Sequence, residues 1–108
     1  MAWVSLCDLD ELAAGQGKYA EVDGFRIALF LDQGTVYAID NTCPHAGASM
    51  AGGFVDNGCA ICPWHGWRFR LSDGHMPDAE GVRIDTYPTR LYPRPGRPTL
   101  VQADLPMP

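Results

Sequence analysis

Two short segments, Cys43-Pro44-His45 and Cys62-Pro63-Trp64-His65, each contain one cysteine and one histidine, and sixteen residues separate them. Thiolate and imidazole groups are the common protein ligands of transition metals and iron–sulfur clusters. Proline next to each cysteine fixes part of the loop backbone, and Gly47 and Gly66 after the histidines allow tight turns. The sequence therefore offers four candidate metal ligands: Cys43, His45, Cys62 and His65.

Short runs of strand-forming residues surround both segments. Residues 19–22 and 25–31 flank Asp23-Gly24, and residues 35–39 follow the turn 32–34, so two β-hairpins are predicted. Further strand candidates are 54–55, 60–61, 67–71, 84–91 and 99–102, with turns at 72–74 and 93–98. This spacing of short strands predicts an all-β protein, a small antiparallel sandwich or barrel. The cysteine and histidine segments fall in loops between strands, where functional residues are common.

The two ends of the chain give weaker signals. Residues 8–12 can form a turn or two of helix that begins at an acidic residue and ends by Gly15. We find no domain boundary, so residues 1–108 are expected to form a single domain. The last residues, 103–108, are expected to be a loose C-terminal tail.

Composition and charge exclude several classes of function. The chain of 108 residues has thirteen acidic and eight basic residues, a formal charge of −5, and no basic run, so nucleic acid is not an expected partner. The longest apolar stretch, 27–31, is far shorter than the roughly 20 residues that span a bilayer, so no membrane association is expected. Residues 1–8 lack the basic and apolar regions of a secretion signal, which predicts a cytoplasmic protein.

The paired motif resembles that of the Rieske-type [2Fe-2S] ferredoxin family, in which Cys-x-His is followed at a similar distance by Cys-x-x-His. Residues 36–41, 63–69, Asp73-Gly74 and Pro77 also resemble that family's strands and loops, and the likeness covers about 3–102. It implies a single Rieske domain, an antiparallel β-sandwich or barrel of the Rieske type with a cluster-binding loop subdomain. It also implies one [2Fe-2S] cluster per chain.

The resemblance assigns roles to the four candidate ligands. Cys43 and Cys62 would hold the inner iron, and His45 and His65 the outer, surface-facing iron. Replacing two thiolates by neutral imidazoles makes the cluster less negative. An added electron then meets less repulsion, which raises the potential into a range of roughly −150 to +300 mV.

Four other positions indicate the low end of that range. High-potential relatives carry a disulfide between the cluster loops, and the matching positions here are Ala48 and Trp64. Those relatives also place a serine and a tyrosine hydroxyl near the sulfurs, where this chain has Trp67 and Phe69. With fewer hydrogen bonds to sulfur, a low-potential ferredoxin-type protein is expected.

The resemblance implies a one-electron carrier that passes electrons from an NAD(P)H-dependent reductase to a terminal oxygenase. Rieske oxygenases also hold a mononuclear iron with two further histidines, but this chain has three histidines in all and no dinucleotide-binding glycine motif. It is therefore expected to perform no substrate chemistry alone. One alternative is the small Rieske-type subunit of an NAD(P)H-dependent nitrite reductase. Another, from a different class, is a zinc-stabilised interaction module without a redox role.

The remaining candidates receive structural interpretations. Cys59 and Cys7 are expected to be free, non-ligand cysteines, and His75 an ordinary turn residue near the third loop. The tryptophans are expected mainly to pack, with Trp64 also shielding the cluster. A partner is expected to dock on the histidine side, at an apolar rim formed by Ala46, Ala48, Met50, Trp64 and Met76.

Overall fold

The computed structural model describes residues 2–45 and 47–107. Within these ranges the chain forms ten strands and two short 3₁₀ helices, Leu9–Glu11 and Met50–Gly52. The strands are β1 (Ala2–Asp8), β2 (Gly17–Val22), β3 (Phe25–Asp32), β4 (Thr35–Asp40), β5 (Phe54–Asp56), β6 (Cys59–Ile61), β7 (Arg68–Arg70), β8 (Thr86–Tyr87), β9 (Thr89–Arg94) and β10 (Arg97–Leu105).

The strands pair in three antiparallel sheets. Their orders are β1-β10-β9, β2-β3-β4-β8 and β5-β6-β7. The prediction of an all-β antiparallel fold is confirmed. No helix among the residues described above is long and apolar enough to cross a membrane.

Strand β3 divides the interior into two clusters because successive side chains of a strand point to opposite faces. Ile27 and Leu29 pack with Val101 and Leu105 of β10 in one cluster. Ala28 and Phe30 face the other cluster, in which the loop cysteines and the short sheet β5-β6-β7 contribute. Its buried members are Ala28, Phe30, Ile39, Cys43, Met50, Ala60, Cys62, Phe69, Leu71 and Ile84. Four consecutive fully buried residues, 27–30, thus connect the main sandwich to the loop region.

Both predicted hairpins are present, with in-register pairs such as Val22↔Phe25 and Asp32↔Thr35. Asp23-Gly24 and Gln33-Gly34 adopt positive φ angles, with values from 48° to 84°. These are the left-handed conformations that two-residue hairpin turns require. The β5–β6 connection, Asn57-Gly58, has the same geometry, with φ angles of 50° and 75°.

Two predictions about the C-terminal half need correction. The expected strand 84–91 is two strands, because Pro88 separates β8 from β9 and lacks the N–H that a ladder needs. The expected tail does not begin at 103, since β10 extends to Leu105 and both Ala103 and Leu105 are fully buried. Pro108 lies outside the described residues.

At the N-terminus, β1 was not predicted from the sequence, and it pairs with β10 from Ala2↔Leu105 to Asp8↔Leu100. The expected helix at 8–12 is a single 3₁₀ turn. The Asp8 N–H donates to a Glu11 carboxylate oxygen over 2.7 Å, in a capping box.

Candidate metal centre

The two metal-binding motifs lie in loops at one end of the fold. The first loop follows β4, and the second joins β6 to β7. Cys43 and Cys62 are each 1% exposed and belong to the same buried cluster, whereas His45 and His65 are exposed. The sequence therefore directs the thiols inward and the imidazoles outward.

Backbone hydrogen bonds close the first loop around Cys43. The Cys43 N–H donates to the Ala48 carbonyl over 2.9 Å, and the Gly47 N–H donates to the Cys43 carbonyl over 2.9 Å. Gly47 has a φ of 70°, in the left-handed region that glycine adopts without steric cost. The loop thus returns on itself immediately after His45.

Asn41 connects the first loop to the sheet. Its side chain is buried, and its Oδ1 accepts hydrogen bonds from Ser49 Oγ at 3.1 Å and the Ala51 N–H at 2.9 Å. Its backbone N–H donates to the Arg26 carbonyl of β3, and its own carbonyl accepts from the Met50 N–H. Asn41 therefore ties both ends of the loop to the sheet.

The second loop has a similar closure. The Cys62 N–H donates to the Trp67 carbonyl over 2.8 Å. His65 has a φ of 66° and Gly66 a φ of 70°, and a non-glycine residue rarely occupies this left-handed region. The imidazole of His65 is consequently carried at the outer tip of the turn.

The two thiols are neighbours in the interior. Burial raises the pKa of the Cys62 thiol, and its side-chain hydrogen bond with Cys43 raises it further, although a backbone hydrogen bond at Trp64 acts in the opposite direction. A buried thiol that holds its proton must release it when it becomes a thiolate ligand. Metal binding here is thus coupled to proton release.

The two imidazoles lie side by side at the surface. The ring centroids of His45 and His65 are 5.3 Å apart, and the ring planes meet at 72°. Trp67 stacks face to face on His45, with a centroid distance of 3.9 Å and an interplanar angle of 11°. Trp64 meets His65 edge-on at 6.4 Å and 88°. The donors thus form a buried sulfur pair and an exposed nitrogen pair.

A third loop, 71–85, packs beside the centre. Met76 lies against the buried cluster that contains Cys43 and Cys62, and its N–H donates to the Val82 carbonyl over 3.0 Å. The base of this loop is tight, because a Cβ on Gly74 would overlap the Ile84 carbonyl oxygen. Pro77, which the resemblance placed over the cluster, is exposed in this loop.

The predicted apolar rim is only partly correct. Trp64 is 59% exposed, but Met50 is fully buried in the core. Ala48 and Met76 are half-buried and pack against the same core. Ala46 lies outside the described residues. Trp64 is therefore the rim residue that offers a large free apolar surface.

The remaining cysteines and the spare histidine sit elsewhere. Cys59 is buried in β6 opposite Arg70 of β7, and Cys7 is half-buried in β1. All four cysteines are free. His75 is exposed, and its backbone pairs with Arg83 in an isolated bridge of the third loop.

The donor set suits a binuclear centre. The predicted ligands are arranged as two pairs, with the sulfur atoms inside and the nitrogen atoms outside. Two iron atoms of which one takes thiolates and the other imidazoles match this separation.

Comparison with known proteins agrees with this geometry. The sequence profile of the family described as Rieske [2Fe-2S] domain matches residues 2–88. The chain belongs to the Rieske [2Fe-2S] domain family. Its cofactor is accordingly a Rieske-type [2Fe-2S] cluster, as the resemblance predicted.

Two relatives illustrate the range of this family. The ferredoxin component of the naphthalene 1,2-dioxygenase/salicylate 5-hydroxylase systems of Ralstonia sp is 33% identical over 90 residues, or 82% of this chain and 86% of the relative. Cholesterol 7-desaturase nvd of Hemicentrotus pulcherrimus is 40% identical over 78 residues, or 70% of this chain, but the match spans only 17% of that longer protein.

Among solved structures, a Mycobacterium tuberculosis protein described as an NADH-dependent nitrite reductase small subunit superposes with a TM-score of 0.83. It is 29% identical, and the superposition covers 98% of this chain and 97% of the other. The chain thus matches a small Rieske protein over nearly the whole length of both. Its match to the desaturase covers only a small part of that larger protein.

Two features of the site were not found by sequence reasoning. Asn41 directly precedes Thr42-Cys43, yet its hydrogen bonds reach residues eight and ten positions further along, a separation that no local pattern predicts. Trp67 was interpreted as mainly packing, whereas its ring also stacks on His45. Contacts between two separate loops leave no periodic signal in a sequence.

Proposed function

We propose that this protein is a one-electron carrier whose cluster is held by Cys43, His45, Cys62 and His65. The observation that carries the proposal is the separation of the donors into a buried thiol pair and an exposed imidazole pair whose centroids lie 5.3 Å apart. The bound cluster supplies reversible uptake of one electron. The side chains determine where it sits and which side of it meets a partner.

Each pair of ligands has a distinct task. The cysteines would hold one iron from within the hydrophobic core, to which both side chains belong. The histidines would hold the other iron at the surface, where the exposed ring of Trp64 meets His65. A docked partner would therefore reach the centre at the imidazole edge.

We place the reduction potential near the low end of the Rieske range, at roughly −150 mV. Phe69 is fully buried in the same cluster as both cysteines and carries no hydroxyl. Trp67 likewise offers no hydroxyl. Hydrogen bonds to cluster and ligand sulfurs stabilise the reduced state, so the lack of a hydroxyl at these two positions favours a low potential.

We propose that the partners are an NAD(P)H-dependent reductase and a terminal oxygenase. Support comes from the Ralstonia ferredoxin component, of whose length this chain covers 86%. The second candidate is the small subunit of an NAD(P)H-dependent nitrite reductase, which the M. tuberculosis superposition favours. We place either activity in the cytoplasm, because Cys7 and Cys59, which are not proposed ligands, are free thiols, as is usual in a reducing compartment.

Ligand variants test the proposal. Cys43→Ser, Cys62→Ser, His45→Ala and His65→Ala are each expected to abolish the visible absorption and the electron paramagnetic resonance (EPR) signal of the reduced protein. Cys59→Ser and His75→Ala are the matched controls, since they remove the same groups from positions outside the site. The controls are expected to retain iron, sulfide and both spectra.

Loss of the cluster in Cys59→Ser together with its retention in Cys62→Ser would overturn the ligand assignment. A colourless protein that purifies with zinc would instead support the interaction module. The two partner assignments are separated by reconstitution. The reduced protein should donate electrons to a purified ring-hydroxylating oxygenase, and faster transfer to a nitrite reductase large subunit would favour the second candidate.

A further inference from the structure

The two candidate histidine ligands are held in different ways. The imidazole of His45 is covered on one face by the parallel indole ring of Trp67, 3.9 Å away. Within the described part of the chain His65 has no such partner, and its aromatic neighbours, His45 and Trp64, both approach at steep angles of 72° and 88°. The ring of His45 is therefore held by a parallel stack, whereas neither face of the His65 ring is covered in this way.

Trp67 is well placed to hold the His45 ring in position. It belongs to the second loop, whereas His45 belongs to the first, so the stack joins the two loops across the centre. Its side chain is half-buried and packs against the cluster that contains Cys43 and Cys62. An indole anchored on the core can hold an exposed ring whose rotation about its terminal bond is otherwise broad.

We propose that Trp67 is a positioning residue that fixes the His45 imidazole, shields one face of it from water and thereby keeps the reduction potential low. This inference rests on the proposed function, because it takes His45 as a cluster ligand. Reduction adds one electron, supplied by the reductase, and so one negative charge to the centre. Water stabilises that charge, and the indole ring excludes water from this face.

Three substitutions test whether the aromatic ring of Trp67 itself causes the effect. Trp67→Phe keeps a flat ring, whereas Trp67→Leu keeps an apolar side chain without one. Trp3→Leu is the control, because it makes the same change in β1, where Trp3 stacks on Arg90 instead. The hydrogen bond from the Cys62 N–H to the Trp67 carbonyl belongs to the backbone and persists in all three variants.

The potential is measured by redox titration and the ligand geometry by EPR. For Trp67→Leu we expect the equilibrium constant for reduction to rise about tenfold, which is about 59 mV for a one-electron couple, together with a changed EPR line shape. Trp67→Phe and Trp3→Leu are expected to stay close to the wild type. If Trp67→Leu does not fold, Trp67→Met replaces it, because its flexible chain fills the same space without a ring.

The inference is overturned if the ringless variant has the potential and the EPR spectrum of the wild type. It is also overturned if Trp67→Phe and the ringless variant change equally, since packing alone would then explain the effect. A wild-type protein without nitrogen-ligated iron would refute the proposed function itself. The wild-type spectrum thus separates that failure from failure of the inference.

Discussion

Outside the metal centre, folding has a clear effect on the pKa of the Cys7 thiol. Burial raises the pKa of its thiol from 9.0 to about 11, and the carboxylates of Glu11, Asp8 and Asp10 add to the increase while Lys18 opposes it. The thiolate is the reactive form of cysteine. Cys7 should therefore be unreactive near neutral pH.

We expect alkylation of Cys7 by iodoacetamide near pH 8 to be about a hundredfold slower in the folded protein than in the unfolded chain, as measured by mass spectrometry of its peptide. The raised pKa also stabilises the fold fully below about pH 9, and this contribution is lost as the pH rises through about 11. Cys7→Ala should lack that loss. Equal labelling rates in the two states would contradict the assignment.

At the scale of single residues, the sequence was most informative where chemistry requires a particular side chain. Cys43 and Cys62 lie together and buried, and His45 and His65 lie together and exposed, which fits the ligand roles proposed for them. The burial of Met50 was not foreseen. A methionine in a loop looks the same in sequence whether it faces solvent or fills the core.

At the 3₁₀ helix Met50–Gly52, the first metal-binding loop comes close to the strand that leads into the second. Gly53 ends the helix, and its N–H donates to the Met50 carbonyl over 2.9 Å. A Cβ on Gly53 would overlap the carbonyl oxygen of Ile61, the last residue of β6 before Cys62. The close approach of these backbones leaves room only for glycine.

Gly53→Ala should therefore push the 3₁₀ helix away from β6 and lower the free energy of unfolding by about 1–3 kcal/mol, the usual cost of overpacking. The control is Gly52→Ala, whose added methyl would meet only Pro63 Cγ at an ordinary 3.8 Å. Urea unfolding followed by circular dichroism measures both. Equal midpoints for the two variants would show that the backbones can separate freely.

At the scale of elements, local turn chemistry predicted what it controls directly. Asp23-Gly24 and the turn at 32–34 gave two hairpins with correct partners. Strand β1 was missed because its pairing partner, β10, lies at the other end of the chain. The extent of β10 was underestimated for the same reason, since β1 is what makes residues as late as Leu105 part of a sheet.

For the whole molecule, charge should govern association more than apolar area does, because an electron carrier must dock briefly and release. With a net charge of −5, the protein should approach a basic docking site faster at low ionic strength. Screening shortens the range of this attraction to about 8 Å at physiological salt. Stopped-flow reduction by the cognate reductase should therefore slow as salt rises.

Trp64→Glu places a charge at the exposed edge beside His65 and should slow the same reaction several-fold by adding a desolvation cost to docking. Trp3→Glu adds the same charge on β1 and should leave the rate nearly unchanged. Rates that depend neither on salt nor on Trp64→Glu would mean that electrons enter or leave by another face.

We assign one iron of the cluster to the imidazoles of His45 and His65. The most direct measurement is electron–nuclear double resonance on the reduced protein with ¹⁵N-labelled histidine. We expect hyperfine coupling from two histidine nitrogens. Coupling from a single nitrogen, or from none, would contradict this assignment, because other residues such as Cys59 or Cys7 would then have to complete the ligand set.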